Sequence, residues 1–215
     1  MDWLRWSAST WWWAPACCAL CGQGCSRARI RLCEACGETL DPLHEAADRL
    51  DDATLMAAFR YGGPLASALV DAKFRRGALD LGGLLEPWAH AVAVRAHASG
   101  VQRFVAVPPQ VDRLRDRGWH LPDLLASRLA VAANLRTSMA LQRRDRGAPR
   151  SRGADVRPCF ALRSGLARTH VALVDDVRTS GETLRAARDV LLAAGAEVPL
   201  CVVLADAGRG SGPAR

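Results

Sequence analysis

The stretch VALVDDVRTSGETL, Val171 to Leu184, sets two adjacent carboxylates at the end of an apolar run and follows them with hydroxyls and a glycine. Ionised carboxylates accept charge-assisted hydrogen bonds, so Asp175 and Asp176 suit the vicinal hydroxyls of a sugar. The turn that follows can aim backbone N–H groups, hydroxyls and the positive end of a helix at one point, which suits a phosphate. The expected sugar-phosphate site is therefore Asp175, Asp176, Val177, Arg178, Thr179, Ser180, Gly181, Glu182 and Thr183. Gly181 lets the backbone approach a ligand closely, and Thr179, Ser180 and Thr183 supply donors without bulk. A plainer alternative is a strand followed by an ordinary helix, with Ser180 or Thr179 as its N-cap and both carboxylates in water. A phospho-receiver domain also carries paired Asp at a strand end, but only 39 residues follow Asp176, too few for the rest of that fold.

A second group with chemical potential lies near the N-terminus. Cys18-Ala-Leu-Cys21 and Cys33-Glu-Ala-Cys36 form two Cys-x-x-Cys knuckles separated by eleven residues. Four thiolates so spaced can close a tetrahedron about zinc with Zn–S near 2.3 Å, and so short a module would hardly fold without the metal. Cys18, Cys21, Cys33 and Cys36 leave no open position, so the expected role is structural. Cys17 and Cys25 complete no second x-x pair and read as bystanders, while Cys159 and Cys201 stand in apolar company and read as core thiols. The five His share no spacing.

Charge is uneven along the chain. The formal net charge is +7, and between Arg103 and Arg168 there are 14 Arg against 5 Asp with no Glu or Lys, a local excess of +9. A basic middle suits a polyanion such as a phosphorylated metabolite or nucleic acid. Yet 28 of the 29 basic residues are Arg in an Ala-rich chain, which fits coding bias equally well. Trp11 to Leu20 is apolar but short and interrupted by Pro15, whereas a membrane span needs roughly 20 residues. With no spanning segment and no clear secretory leader, the cytoplasm is the expected compartment, where clustered cysteines hold metal rather than form disulfides.

These groups need elements to position them. LMAAFRYGG from Leu55 reads as a strand and turn, Pro64 opens a helix to about Phe74, and 83–98 reads as a second helix. A strand is expected at 101–107, and a third helix at 122–133 with Leu124, Leu125, Leu129 and Ala132 on one face. Residues 142–157 carry six Arg, two Gly and a Pro without apolar periodicity and read as a mobile loop. A short strand at Phe160 to Leu162, a strand at Val171 to Val174, a helix from Gly181 to Ala194 and a strand at Val198 to Leu204 complete the series. Alternating strands and helices imply an α/β fold with a parallel sheet flanked by helices. The expected organisation is a Trp-rich segment at 1–16, a four-Cys zinc module at 17–45, a main domain at 50–207 and a disordered tail at 208–215.

VALVDDVRTSGETL resembles the phosphoribosyl-pyrophosphate (PRPP) motif of type I phosphoribosyltransferases. The resemblance implies that Asp175 and Asp176 hold ribose, that Thr179 to Thr183 hold the 5′-phosphate, and that magnesium accompanies PRPP. A four-Cys zinc module ahead of such a domain resembles the ComF family, associated with DNA uptake and natural competence. Three further stretches carry that likeness: YGGPLASALVDAKFRRG (61–77), VAVPPQVDRLRDRGWH (105–120) and DVRPCF (155–160). In the second, Arg113, Arg115 and Arg117 match an Arg-rich turn and are implied contacts for pyrophosphate or nucleic acid. The chain departs from the family pattern at Trp119, His120 and Leu121, at Pro108-Pro109-Gln110-Val111, and in a shortened loop at 145–155. A loop there would close over the reacting centre and exclude water, so the resemblance implies binding more directly than turnover. The alternative reading is a non-catalytic module that contacts single-stranded DNA, or a scaffold for DNA-uptake proteins.

Overall fold

The computed structural model describes residues 18, 20–21, 23, 33–43, 47–74, 82–109, 119–144 and 159–208. Five described helices and eight strands follow one another along the chain: α1 Glu34–Thr39, β1 Ala47–Leu50, β2 Ala53–Arg60, α2 Gly63–Phe74, α3 Gly82–Ala98, β3 Arg103–Ala106, α4 Leu121–Ala132, β4 Arg136–Ser138, β5 Leu141–Arg143, β6 Phe160–Leu162, β7 His170–Arg178, α5 Glu182–Ala193 and β8 Glu197–Asp206. Six strands form one sheet in the order β1-β2-β8-β7-β3-β4, and β5 and β6 form a separate antiparallel pair. All pairings in the large sheet are parallel except that of β1 with β2. The fold is thus α/β, with a mostly parallel sheet between helices.

The central strands are apolar throughout because both faces are covered. Ala172, Val174, Leu200, Val202 and Leu204 face a core built with Leu65 and Leu69 of α2, Trp88 and Val92 of α3, and Leu125 and Leu129 of α4. Val171, Leu173, Cys201 and Val203 face the other way, onto Leu184, Ala187 and Leu191 of α5, and onto Leu50, Leu141 and Phe160.

Several details differ from what the residue pattern implies. The buried stripe of α4 is Leu125, Ala126, Leu129 and Ala130, while Leu124 and Ala132 lie outside it. A one-position rotation of a helix in which nearly every residue is apolar leaves the pattern unchanged, so only packing selects the face. Strand β7 does not end at the carboxylates but continues through them to Arg178, because β8 supplies backbone partners as far as Asp206. Cys159 is exposed: it precedes Phe160, whose ring turns inward, so alternation sends the thiol outward. Strands β1, β4 and β5 carry no strong apolar signal and are made by their neighbours. Arg113, Arg115, Arg117, Arg75, Arg76, Gly77, Cys17, Cys25, His44, the five Trp of the N-terminal segment, the loop at 145–155 and residues 209–215 lie outside the described residues.

Candidate functional site

Strand order determines where a ligand can approach. From β3 the chain passes through α4 to β4 at one edge of the sheet, and from β7 it passes through α5 to β8 in the opposite direction. The two connecting helices cover opposite faces. The chain therefore leaves β3, at 107–109, and β7 toward helices on opposite faces, at the carboxyl ends of adjacent strands, the place where open α/β sheets form a ligand crevice. One wall begins at Val107, whose N–H donates to the Val174 carbonyl (2.8 Å). The other wall is the turn Thr179-Ser180-Gly181.

The two carboxylates lie just before that turn. Asp175 is buried at 8% exposure, and its Oδ1 accepts a hydrogen bond from the Asp176 backbone N–H (2.9 Å). Asp176 is half-buried. Because β7 remains extended here, consecutive side chains leave it toward opposite faces, and the pair brackets the sheet edge rather than forming one fork. On the Asp175 side, burial pushes the Cys201 thiol up to about 12; Arg188 opposes the rise, while Asp51, Asp52 and Asp175 add to it.

In the turn itself Thr179 and Ser180 are exposed. Gly181 takes φ +81°, and a Cβ there would stand 2.9 Å from Leu50 Cδ1, so glycine is required twice over. Gly181 occupies the N-cap position of α5 and has no side chain to cap it. The Glu182 N–H donates to Ser180 Oγ at 3.4 Å. First-turn amides have no intrahelical acceptor, so this end of α5 retains donors beside two exposed hydroxyls.

A feature that sequence reasoning missed holds the turn in place. The hairpin β1–β2 sets three carboxylates against three arginines of the site strand and its helix. Arg178 forms a two-pronged pair with Asp206 (2.6 Å for both bonds) and reaches Asp48 at 2.7 Å. The paired Asp206 carboxylate, then Asp48, raise the guanidinium's pKa against the opposing effect of burial. The Arg49 backbone N–H and then Arg178 hold the Asp48 carboxyl below the usual range. Arg185 Nε donates to Asp51 (3.1 Å) while its NH1 donates to the Ser180 carbonyl (2.8 Å). Buried Arg188 pairs with Asp52. The sequence signal is weak: three Asp in DRLDD, and Arg178, Arg185 and Arg188 far along the chain. Arg178 thus ties β7 to β8 and β1, and its guanidinium is already engaged.

The four knuckle cysteines converge. Their sulfurs all lie within 4.8 Å of one another, and those of Cys21 and Cys33 are 3.7 Å apart. A tetrahedron with 2.3 Å metal–sulfur bonds has edges of about 3.8 Å. Burial acts to raise the Cys18 thiol, but N–H groups of Cys21, Cys33 and Leu20 outweigh it and bring the pKa down to about 6. Amides aimed at a sulfur favour its thiolate, the form that ligates. The Cys36 thiol is pushed up, first by burial and then by the neighbouring sulfurs, the repulsion that a cation would relieve. This set could hold a metal ion. Cys18, Leu20 and Cys36 belong to the same core as Phe59, Leu65 and Trp88, and the following residues are stitched to β2 through Leu43 N–H to Ala58 O (2.9 Å) and Arg60 N–H to Asp41 O (2.8 Å).

No protein-family model matches the chain, and no curated protein does. Among solved structures it is similar to the adenine phosphoribosyltransferase of Trypanosoma brucei, solved with AMP, pyrophosphate and ribose-5-phosphate (14% identity, TM-score 0.35, covering 55% of this chain and 64% of that one). It is also similar to a purine phosphoribosyltransferase of Pyrococcus horikoshii (16%, TM-score 0.39, covering 58% and 83%) and to the adenine phosphoribosyltransferase of Leishmania tarentolae (11%, TM-score 0.39, covering 75% and 94%). The chain spans less than two thirds of the length of the T. brucei enzyme.

Proposed function

We propose that this protein binds PRPP or a related ribose 5-phosphate, with a structural zinc ion in the four-Cys site. The observation that carries the reading is the turn at the strand-order reversal, with Thr179 and Ser180 exposed and Gly181 buried behind them, which opens α5 and is separated from Asp176 by two residues. The backbone amides and hydroxyls of 179–183 receive the 5′-phosphate, and Asp175 and Asp176 accept hydrogen bonds from the ribose hydroxyls. Magnesium would neutralise part of the pyrophosphate charge when PRPP is bound. If the protein turns over, the reaction is of phosphoribosyltransferase type: a nucleophile displaces pyrophosphate from C1 of the ribose. The protein's part would then be positioning, and stabilisation of the departing charge by Arg113, Arg115 or Arg117. From the ComF-like sequence pattern we infer a cytoplasmic role in DNA uptake. The basic excess of the middle segment supports a second reading, a non-catalytic single-stranded-DNA-binding or scaffold module.

Calorimetry with PRPP and magnesium tests the proposal. Saturable binding that D175N/D176N reduces at least tenfold is expected. Absence of PRPP binding, together with salt-sensitive oligonucleotide binding that R113A/R115A/R117A weakens, would favour the second reading instead.

A further inference from the structure

At the other end of the sheet, where the parallel strands begin, lies a polar recess of about 400 Å³ lined by Gln102, Arg103, Asn134, Leu135, Arg136 and Thr169. None of these residues is acidic. Arg103 opens β3 and Arg136 opens β4, and the two are register partners in a parallel pair. Neighbouring strands run about 4.8 Å apart, so both side chains leave the same face side by side and their charges repel. Among the described residues neither guanidinium has an ion-pair or hydrogen-bond partner. Glu197, a carboxylate at the same end of the sheet, is paired with His170 (3.3 Å).

A structural role as counter-charge to the carbonyl end of α4 is the simplest rival. The backbone already closes that end. Asn134 takes φ +51°, and the N–H groups of Ala133, Asn134 and Leu135 donate to the carbonyls of Leu129, Val131 and Ala130 at 2.9, 3.1 and 2.8 Å. The arginines are left facing an open recess. Beside them, Gln102 Oε1 accepts the His170 N–H at 3.3 Å, which leaves the NH₂ of that amide as a donor.

We propose that this recess is a second anion site, one that takes a phosphate group, free or carried on a small molecule such as a nucleotide. Two guanidinium forks match the oxygens and the double charge of a phosphate dianion, and guanidinium suits phosphate better than a point ammonium does. The nine residues of β7 separate the recess from the Thr179 turn by roughly 30 Å. The two sites are therefore distinct, and the inference stands whether or not the turn binds ribose phosphate.

Calorimetry of the full chain with inorganic phosphate, pyrophosphate and ATP, run on wild type, R103Q/R136Q and D175N/D176N, tests it. The expected result is a saturable event that survives D175N/D176N and weakens at least tenfold in R103Q/R136Q, with the melting temperature of the unliganded variant reported alongside. Binding of phosphate or pyrophosphate alone would identify the free anion as the ligand, and preference for ATP would identify a carried phosphate. Should the double variant fail to fold, R136Q alone, at an exposed position, is expected to weaken binding at least threefold. Unchanged affinity in these variants, or wild-type protein that binds a single-stranded oligonucleotide but none of the three phosphates, overturns the proposal.

Discussion

Gly181 is the residue on which the candidate turn most depends. Its positive φ costs an L-residue about 1–2 kcal/mol, and the Leu50 methyl 2.9 Å from a would-be Cβ adds a clash against a buried side chain. G181A is expected to lose about 1–3 kcal/mol of stability by denaturant unfolding and to weaken PRPP binding more than tenfold in the same titration. S180A, which removes an exposed hydroxyl, is expected to change stability by less than about 0.5 kcal/mol while still weakening binding. A G181A protein that binds PRPP as wild type does would mean that the turn is not the phosphate site. At this scale the residue pattern marks Gly181 for close approach of a ligand, whereas the close neighbour in the structure is Leu50 of the hairpin. That Arg178 turns back to Asp206 and Asp48 was not legible, since its partners lie 28 and 130 positions away.

Among elements, the hairpin β1–β2 acts as a clasp on the candidate turn, although nothing in its own sequence resembles a ligand-binding segment. Arg185 bridges Asp51 to the Ser180 carbonyl, so the hairpin tip fixes the turn through one side chain. The pair is nearly half exposed on both sides, and such pairs contribute about 0.2–1 kcal/mol. D51A is therefore expected to lower stability by less than about 1 kcal/mol but to weaken PRPP binding several-fold. R185A should do the same, with D51A/R185A no worse than R185A alone. Equal losses of affinity from D51A in the wild-type and R185A backgrounds would show that the bridge does not act on the turn. The existence and order of the long elements were readable from periodicity and breakers, as α2, α3 and α5 show. Element ends and helix faces were not: β7 is prolonged by β8, and α4 turns Leu124 outward, because both outcomes depend on partners rather than on the segment.

For the whole molecule, the cysteine cluster is part of the main core. Cys18, Leu20 and Cys36 are buried with Phe59, Leu65 and Trp88, and residues 41–43 run beside β2. Mass spectrometry of the native protein is expected to find one zinc per chain. Removing it with a chelator should lower the melting temperature of the entire protein in a single transition, since metal-binding free energy is here folding free energy. A separate small transition with an unchanged main one would show instead that the cluster folds apart from the sheet. No helix among the described residues is long and apolar enough to cross a membrane.

What the amino-acid order determined by itself is chemistry that is local in the chain: two Cys-x-x-Cys knuckles, an acidic pair at the end of an apolar run, and a small-residue turn opening a helix. These are legible because spacing within a few residues limits which atoms can meet. Tertiary structure decided everything that joins distant segments: the crevice made by reversal of strand order, the hairpin carboxylates brought to Arg178, Arg185 and Arg188, and Arg103 set beside Arg136. Such pairings follow from how strands register and helices pack across the whole core, and no short window of residues contains that information.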